Sequence, residues 1–247
     1  MFIPTTKEEL DNLGWKQLDV ILISGDAYID SPFIGVAVVA RMLHSWGYKV
    51  GIIGQPDVNS EDIKRLGEPK LYWGVSGGSI DSMVSNYTAT KKFRNSDDYT
   101  PGGKNNKRPD RATLVYTNLI RRNFKNTVPI VLGGIEASLR RVSHYDYWSN
   151  KLRKPILFDA KADYLIYGMG EIAIKEFTQA LKDNQDPKDV RGICYISKEP
   201  KHDFLQIPSH QECLDNKEKY IDLFDSFYDN NDPISAQGLC QKVDSRY

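Results

Sequence analysis

Four apolar runs of this 247-residue chain each end in a glycine-bearing turn. Each run is short and nearly continuous, as expected of a strand buried on both faces of a parallel sheet. The turns are Ser24-Gly25-Asp26, Ser76-Gly77-Gly78, Gly133-Gly134 and Gly168-Met169-Gly170-Glu171. Because ligands bind outside the carboxyl ends of parallel strands, four such turns favour a crevice for a large flat or phosphorylated ligand. For any single turn, strand termination by glycine is the simpler interpretation.

Helical patterns alternate with the apolar runs along most of the chain. Strands are predicted at 18–23, 49–53, 71–75, 128–132 and 162–167, with an edge strand at 192–197. Helices are predicted at 33–46, 60–66, 111–125, 136–142 and 171–182, whereas 86–110 is a polar loop and 143–161 is irregular. This alternation predicts an α/β fold with a doubly wound, mainly parallel, flavodoxin-like sheet.

The pattern changes after Pro200. Leu214, Ile221, Phe224 and Tyr228 form an apolar stripe on an acidic helix, and the apolar residues between 234 and 243 suggest a second short helix. The stripe requires packing against the helices of the sheet or against material beyond the end of this sequence. We therefore expect an α/β domain over residues 1–200 and a helical extension, acting as a linker, over residues 201–247.

Charge is balanced overall but unevenly distributed. Residues 91–161 hold 16 lysines and arginines against 6 acidic residues, whereas 211–233 hold 2 against 7. A basic middle region suits an anionic ligand, a nucleic acid or an acidic partner, unless the two regions neutralise each other. Without an RNA-binding motif, we expect nucleic acid not to be the partner. No apolar run is long enough for a membrane span and no signal peptide is present, so we expect a cytoplasmic protein.

Candidate chemistry concentrates in the predicted turns. Asp26 and Asp30 follow the first strand, where a carboxylate either orients a cofactor or caps the next helix. Neither GxGxxG nor GxxxxGKS/T occurs, so neither a dinucleotide nor a phosphate loop is indicated. The three cysteines are too dispersed for a disulfide framework or a metal site. We predict no catalytic residue and no metal ligand in this chain.

The pair Gly133-Gly134 opens a predicted helix whose amino terminus would attract an anion. Arg140 and Arg141, about one and a half turns in, either pair with that anion or are solvated. The segment His144-Tyr145-Asp146-Tyr147-Trp148 is rich in aromatic rings, which either pack or stack on a planar ligand.

Several stretches resemble the amino-terminal part of the YgiQ family of radical S-adenosylmethionine proteins. The most specific is Leu132-Gly133-Gly134-Ile135-Glu136-Ala137-Ser138-Leu139-Arg140-Arg141, and further similarity lies in 25–35, 50–57, 144–171 and 241–247. The resemblance implies a cobalamin-binding-like Rossmann domain followed by a barrel that holds a 4Fe-4S cluster on a CxxxCxxC motif and binds S-adenosylmethionine. This chain contains no CxxxCxxC motif. We therefore expect an accessory fragment that is not catalytic alone and has the barrel as its partner.

The resemblance also implies a cofactor site, with cobalamin as the candidate. Cobalamin domains that ligate cobalt use DxHxxG after the first strand, but this chain has Asp30-Ser31-Pro32-Phe33-Ile34-Gly35. Ligation by histidine is therefore not expected. The alternatives are a phosphate-binding or nucleic-acid-binding module and a structural cap with a vestigial site. The residues expected to form the site are Gly25, Asp26, Asp30, Gly35, Ser76, Gly77, Gly78, Gly133, Gly134, Glu136, Gly168, Gly170 and Glu171.

Overall fold

The computed structural model describes residues 2–232 and 234–247. The chain forms two compact units. The first comprises the residues up to Leu139 together with Ala160–Tyr195, and the second comprises Arg140–Asp159 together with Ile196–Tyr247.

Helices and strands alternate through the first unit. Its strands are β1 (Val20–Ser24), β2 (Val50–Gly54), β3 (Tyr72–Ser76), β4 (Ile130–Gly133), β7 (Tyr164–Ile166) and β8 (Ile193–Tyr195). Its helices are α1 (Lys7–Asn12), α2 (Gly35–Ser45), α3 (Ser82–Asn86), α4 (Ala112–Asn123), α5 (Gly134–Ser138) and α7 (Glu171–Lys182). The elements of the remaining chain are β5 (His144–Asp146), β6 (Lys151–Arg153), α6 (Ile156–Ala160), β9 (Leu205–Ile207), α8 (His210–Asp215), α9 (Lys217–Asp229) and β10 (Leu239–Gln241).

The central sheet has the order β2-β1-β3-β4-β7-β8. The first five strands are parallel, and β8 joins the edge antiparallel to β7. An order in which the second strand lies outside the first is that of flavodoxin-like folds. The predicted α/β fold class is confirmed, including the edge strand.

Both faces of the sheet are covered. All five residues of β1 are buried, because alternate side chains enter two different layers. Leu22, Ile52 and Tyr72 belong to one core cluster with Leu43 of α2 and Phe177 of α7. On this face the hydroxyl of Tyr72 also lies 2.9 Å from that of Thr178 in α7. Helix α4 contacts β3 and carries its own buried residues, as the second layer of a doubly wound sheet requires.

The second unit contains two small sheets. Strands β5 and β6 form an antiparallel hairpin, and β9 pairs in parallel with β10. Ile207, Cys213 and Leu223 form its buried apolar cluster. Helix α8 starts with a capping box in which Ser209 and Glu212 satisfy each other's backbone N–H groups.

Four local predictions were wrong. The segment 143–161 is not irregular, since it holds the hairpin and α6. The helix predicted at 136–142 ends at Ser138, and that predicted at 60–66 is one 3-10 turn. The second helix of the extension is instead strand β10, which pairs with β9. Its partner lies more than thirty residues upstream, and local spacing does not report such pairing.

The predicted apolar stripe of the extension is exposed in the structure. Ile221, Phe224 and Tyr228 of α9 are each more than half exposed, whereas Leu223 is the residue of this helix that is buried. Among residues 2–232 and 234–247, no helix has the length and apolar character needed to cross a membrane.

Candidate functional site

A cavity of about 430 Å³ lies at the carboxyl ends of β1, β3 and β4 in the first unit. Its floor is apolar and includes Leu22, Tyr72 and Val131 from the sheet and Ile174 from α7. Gly74 of β3 faces the same space, and a Cβ there would lie 2.6 Å from the Cδ2 atom of Leu22. A volume of this size is typical of sites that enclose a small molecule or part of a cofactor.

The mouth of the cavity is formed by the turns that follow the strands. Most of the predicted site residues line it, namely Asp26, Gly35, Ser76, Gly78, Gly133, Gly134, Gly168, Gly170 and Glu171. The four glycine-bearing turns therefore meet at one edge, although they are distant in sequence. This convergence follows from the parallel register, in which Ser24, Ser76 and Gly133 lie side by side.

The other predicted site residues, Gly25, Asp30, Gly77 and Glu136, lie outside the lining. A Cβ on Gly25 would lie 2.0 Å from the carbonyl oxygen of Gly77, and a Cβ on Gly77 would lie 2.5 Å from a carboxylate oxygen of Glu136. These two glycines therefore let neighbouring turns pack against each other.

Asp30 forms an ion pair with Arg41, in which the Nε atom donates over 2.9 Å. The amino-terminal cap of α2 is Ile34, without a side-chain hydrogen bond. The interpretation of Asp26 or Asp30 as the cap of this helix was therefore wrong.

Gly134 joins β4 to α5 in a conformation that favours glycine. Its φ angle is +79°, and an added Cβ would lie 2.6 Å from the hydroxyl oxygen of Ser76. Positive φ and close approach both exclude a larger residue. The backbone at this turn can therefore approach a ligand without an intervening side chain.

Asp26 is buried and bound on both carboxylate oxygens. Oδ1 accepts a hydrogen bond from Arg108 at 2.6 Å, and Oδ2 accepts one from the backbone N–H of Ser79 at 2.6 Å. Arg108 also donates to the carbonyl of Gly25 at 3.0 Å and lies 3.4 Å from Asp97. Asp26 therefore fixes the turn after β3 to the turn after β1.

Glu136 of α5 is likewise buried, and its side chain connects α5 to the starts of α3 and α4. Its two carboxylate oxygens accept hydrogen bonds from the backbone N–H groups of Ser82 and Thr113, at 2.8 and 2.9 Å. These N–H groups belong to the first turns of α3 and α4, where intrahelical acceptors are missing and the helix dipole favours an anion. One side chain thus caps two helices.

The long loop (residues 87–111) lies between α3 and α4, where a polar loop was predicted at 86–110, but the sequence did not predict what this loop does. Arg108, Asp97 and Thr100 are buried, and Asp97 accepts a hydrogen bond from the Thr100 hydroxyl at 2.7 Å. Arg108 lies 82 residues from Asp26, so no local signal in the sequence reports their pairing.

The charge of the cavity is acidic. Among the described residues that line it, the ionisable acids are Asp26 and Glu171, and no lysine, arginine or histidine is present. Arg108 forms an ion pair with Asp26, whereas Glu171 lies in the first turn of α7, where the helix dipole favours a carboxylate, and has no basic side chain beside it in the described lining. Carboxylate repulsion at the mouth disfavours a phosphate or another anion inside this cavity.

Exposed apolar side chains surround the mouth. Phe33 and Met169 line the cavity and are 90% and 92% exposed, and Ile172 at the start of α7 is also exposed. Isolated exposed apolar residues are ordinary, but several around one opening indicate a surface that meets a ligand or a partner.

Arg140 and Arg141 do not contribute to an anion site at the start of α5. The helix ends at Ser138, so Arg140 and Arg141 lie beyond it and outside the cavity lining. Arg141 lies over the ring of Phe227, 4.1 Å from its centroid, and donates to Asn231 at 3.2 Å. The prediction that these residues lie one and a half turns into the helix was wrong.

The aromatic segment belongs to the second unit, at the β5–β6 hairpin. The rings of Tyr147 and Trp148 contact each other edge to face, and the hydroxyl of Tyr220 accepts the backbone N–H of Tyr145 at 3.0 Å. Burial lowers the pKa of His144 to about 4. Tyr145 and Tyr147 are each about half exposed, so the segment is only partly packed.

None of the three cysteines forms a disulfide bond among the described residues, and the same residues hold no cluster of histidine, cysteine and acidic side chains fit for a metal ion.

The strand order and the cavity at the carboxyl edge define a flavodoxin-like α/β domain with a cofactor-type crevice. A family model described as "Radical SAM N-terminal" matches residues 2–247. The chain belongs to this family.

Relatives with curated sequences carry the name UPF0313 protein. One from Fusobacterium nucleatum is 61% identical over the whole chain, which covers 44% of that relative. One from Thermotoga maritima is 51% identical over the whole chain, which covers 44% of that relative. One from Methanocaldococcus jannaschii is 52% identical over 90% of this chain and 38% of the relative. The chain thus spans less than half the length of these relatives.

Solved structures that are similar to this chain include two of the radical S-adenosylmethionine methyltransferase TsrM from Kitasatospora setae. The one with tryptophan and a S-adenosylmethionine analogue bound has a TM-score of 0.48 at 16% identity, over 71% of this chain and 28% of that one. The one with cobalamin and a [4Fe-4S] cluster bound has a TM-score of 0.46 at 18% identity, over 71% and 26%. The strand order β2-β1-β3-β4-β7-β8 shows the fold independently of these two similarities.

Proposed function

We propose that this chain is the accessory domain of a radical S-adenosylmethionine protein and holds a flat, mostly apolar part of a cofactor in the cavity at the carboxyl edge. The observation that carries the proposal is the cavity itself, with an apolar floor and a mouth of glycine turns. In flavodoxin-like folds, planar cofactors bind at this edge.

Cobalamin is the candidate cofactor, and the residues present suit one part of it. The apolar floor and the close approach allowed at Gly134 fit the flat base of a corrinoid's nucleotide tail. Pro32 lines the cavity where the resembling motif would place histidine. Among the described lining residues none is histidine, so cobalt would receive no nitrogen ligand from this site. A bound corrinoid would supply a cobalt centre that carries a methyl group or an electron.

We further propose that residues 201–247 lead towards a barrel that binds the 4Fe-4S cluster and S-adenosylmethionine, and that the exposed apolar rim faces this barrel. Two facts support this arrangement. The relatives are more than twice as long as this chain, and Phe33 and Met169 leave apolar surface uncovered at the mouth. A domain placed there would hold the cofactor or gate access to the barrel.

Equilibrium dialysis of cobalamin against the full-length protein tests the proposal. We expect saturable binding by the wild type and loss of binding by Gly134→Val, because branched methyl groups at Gly134 would enter the cavity. Circular dichroism is the control for folding. We expect electron paramagnetic resonance of the Co(II) form to give the same nitrogen splitting in unlabelled and ¹⁵N-labelled protein, since no protein nitrogen binds cobalt.

Undiminished binding by a folded Gly134→Val variant would remove the cavity as the site, and a labelled-nitrogen splitting would show a protein ligand on cobalt. If the wild type does not bind cobalamin, the alternative of a structural cap with a vestigial site is favoured.

A further inference from the structure

One hydroxyl group of the cavity has no hydrogen-bond partner. Four hydroxyl side chains line the cavity, from Ser24, Tyr72, Ser76 and Ser79. The first three are bound, because Ser24 accepts the N–H of Asp26, Tyr72 pairs with Thr178, and Ser76 accepts the N–H of Gly78. The Oγ atom of Ser79 is buried and unpaired within the described part of the chain. A buried hydroxyl without a partner is unfavourable, and at the wall of a cavity this hydroxyl is available for a hydrogen bond with a bound group.

The backbone holds Ser79 in a fixed position. Its N–H donates to Asp26 at 2.6 Å, and Asp26 is fixed in turn by Arg108. The preceding residue, Gly78, has a φ of +113°, and a Cβ there would lie 2.2 Å from Asp26. The turn that carries Ser79 is therefore tied to buried charge, and its hydroxyl is placed before a ligand arrives.

The lining also restricts the charge of the ligand. The described lining carries the carboxylate of Glu171 and contributes no basic side chain. An anionic ligand would meet repulsion there, whereas a neutral ring would meet an apolar floor. The floor of Leu22, Tyr72 and Val131 suits a planar group.

Resting on the proposed function, we infer that Ser79 determines the ligand class of this cavity by hydrogen bonding to a ring nitrogen of a neutral heteroaromatic base. The hydroxyl donates to an unprotonated ring nitrogen, or accepts from a ring N–H. Asp26 is then a positioning residue that holds Ser79 and does not contact the base. A phosphate ester, by contrast, would lie outside the cavity.

Calorimetric titration of the full-length protein with benzimidazole and indene at pH 8 tests the inference. The two probes have the same ring skeleton, but indene lacks both nitrogens. We expect Ser79→Ala to weaken benzimidazole binding about tenfold, the effect of one hydrogen bond, and to change indene binding less than about twofold. Because indene reports the cavity itself, it also shows that the variant is folded. Ser45→Ala, an exposed serine outside the lining, should leave both affinities unchanged.

A third probe tests charge. We expect benzimidazole-5-carboxylate to bind the wild type at least about tenfold more weakly than benzimidazole, and equal or tighter binding would overturn the restriction to neutral ligands.

The outcomes separate this inference from the proposed function. If the wild type binds benzimidazole and indene, and Ser79→Ala weakens both or neither, the role of Ser79 is overturned and the cavity stands. If the wild type binds cobalamin but none of the probes, the role of Ser79 fails and the proposed function stands, whereas binding of neither cobalamin nor the probes overturns both.

Discussion

Arg108 and Asp26 form a buried ion pair with an N–O distance of 2.6 Å and side chains that are 0% and 2% exposed. The pair ties the long loop to the first turn of the candidate site. Arg108 also donates to Ser85 and lies 3.4 Å from Asp97, so one guanidinium faces two carboxylates. Loss of Arg108 would leave the negative charges of Asp26 and Asp97 buried together without a cation, whereas loss of one carboxylate would leave Arg108 paired with the other.

Replacing Arg108 by methionine should destabilise the protein by about 3 to 5 kcal/mol, because two buried carboxylates lose their shared cation. Asp97→Asn should cost less, about 2 kcal/mol or below, since Arg108 keeps Asp26 at the shorter distance. Urea titration followed by circular dichroism measures both. An Arg108→Met variant as stable as Asp97→Asn would contradict the central role of the guanidinium.

A second prediction concerns how the buried carboxylate of Glu136 contributes to stability. Glu136→Ala should lower the free energy of unfolding by about 2 to 4 kcal/mol, because two buried N–H groups at Ser82 and Thr113 lose their acceptor. Glu136→Gln should lose less, since its carbonyl oxygen can still accept one of them. Amide hydrogen exchange at the first turns of α3 and α4 would locate the effect. Unchanged protection of both N–H groups in Glu136→Ala would show that neither depends on this carboxylate.

The sequence predicted the architecture and most of the mouth of the cavity for a physical reason. Short apolar runs followed by glycine turns depend on local chemistry, and the parallel register then brings Ser24, Ser76 and Gly133 side by side. The Arg108–Asp26 pair and the unpaired hydroxyl of Ser79 were missed, because they depend on how the long loop folds back. Pairings between distant residues leave no periodic signal.

In the second unit, local sequence patterns also failed to predict secondary structure that depends on pairing between strands. Strand β10 has three residues, and its pairing with β9 outweighs any local helical tendency. The hairpin of β5 and β6 was missed because its segment, with Asp146 and Asn150, is rich in residues that also favour loops.

His144 predicts how stability depends on pH. Burial lowers its pKa from an ordinary 6.5 to about 4, so the folded state favours the neutral ring. As pH falls below 6.5, the unfolded chain binds a proton first, and stability is lost until about pH 4, by roughly 2 to 3 kcal/mol. Burial also lowers the pKa of His210, which acts in the same direction.

The measurement is the urea midpoint between pH 7 and pH 4 for wild type, His144→Gln and His202→Gln. We expect a shallower loss for His144→Gln and the wild-type profile for His202→Gln, whose side chain is exposed. Histidine ring chemical shifts from nuclear magnetic resonance would follow the titration directly. A His144 signal that titrates near pH 6.5 would refute the prediction.

The 247-residue chain should not assemble an iron-sulfur cluster. Its three cysteines are widely spaced and the sequence has no CxxxCxxC motif, whereas cluster ligation requires several thiolates at one point. Anaerobic reconstitution with iron and sulfide, followed by visible absorption and iron analysis, is the measurement. Stoichiometric, sulfide-dependent uptake of iron by this chain would contradict the prediction and would mean that its cysteines come together to bind a cluster.

Gly134 allows the cost of backbone strain to be separated from the cost of a steric clash. Both Gly134 and Gly67 have a φ near +80°, but an added Cβ meets Ser76 Oγ at 2.6 Å in the first case and nothing within 4 Å in the second. Gly67→Ala should therefore cost about 1 kcal/mol from strain alone. Gly134→Ala should cost about 1 to 2 kcal/mol more, because Ser76 must give up its position and its hydrogen bond from Gly78. In a Ser76→Ala background, Gly134→Ala should cost about as much as Gly67→Ala, because the clashing Oγ atom and its hydrogen bond are already absent there. Thermal and urea unfolding of these variants provide the comparison, and equal losses for Gly134→Ala and Gly67→Ala in the wild-type background would show that the turn yields to a side chain at no steric cost.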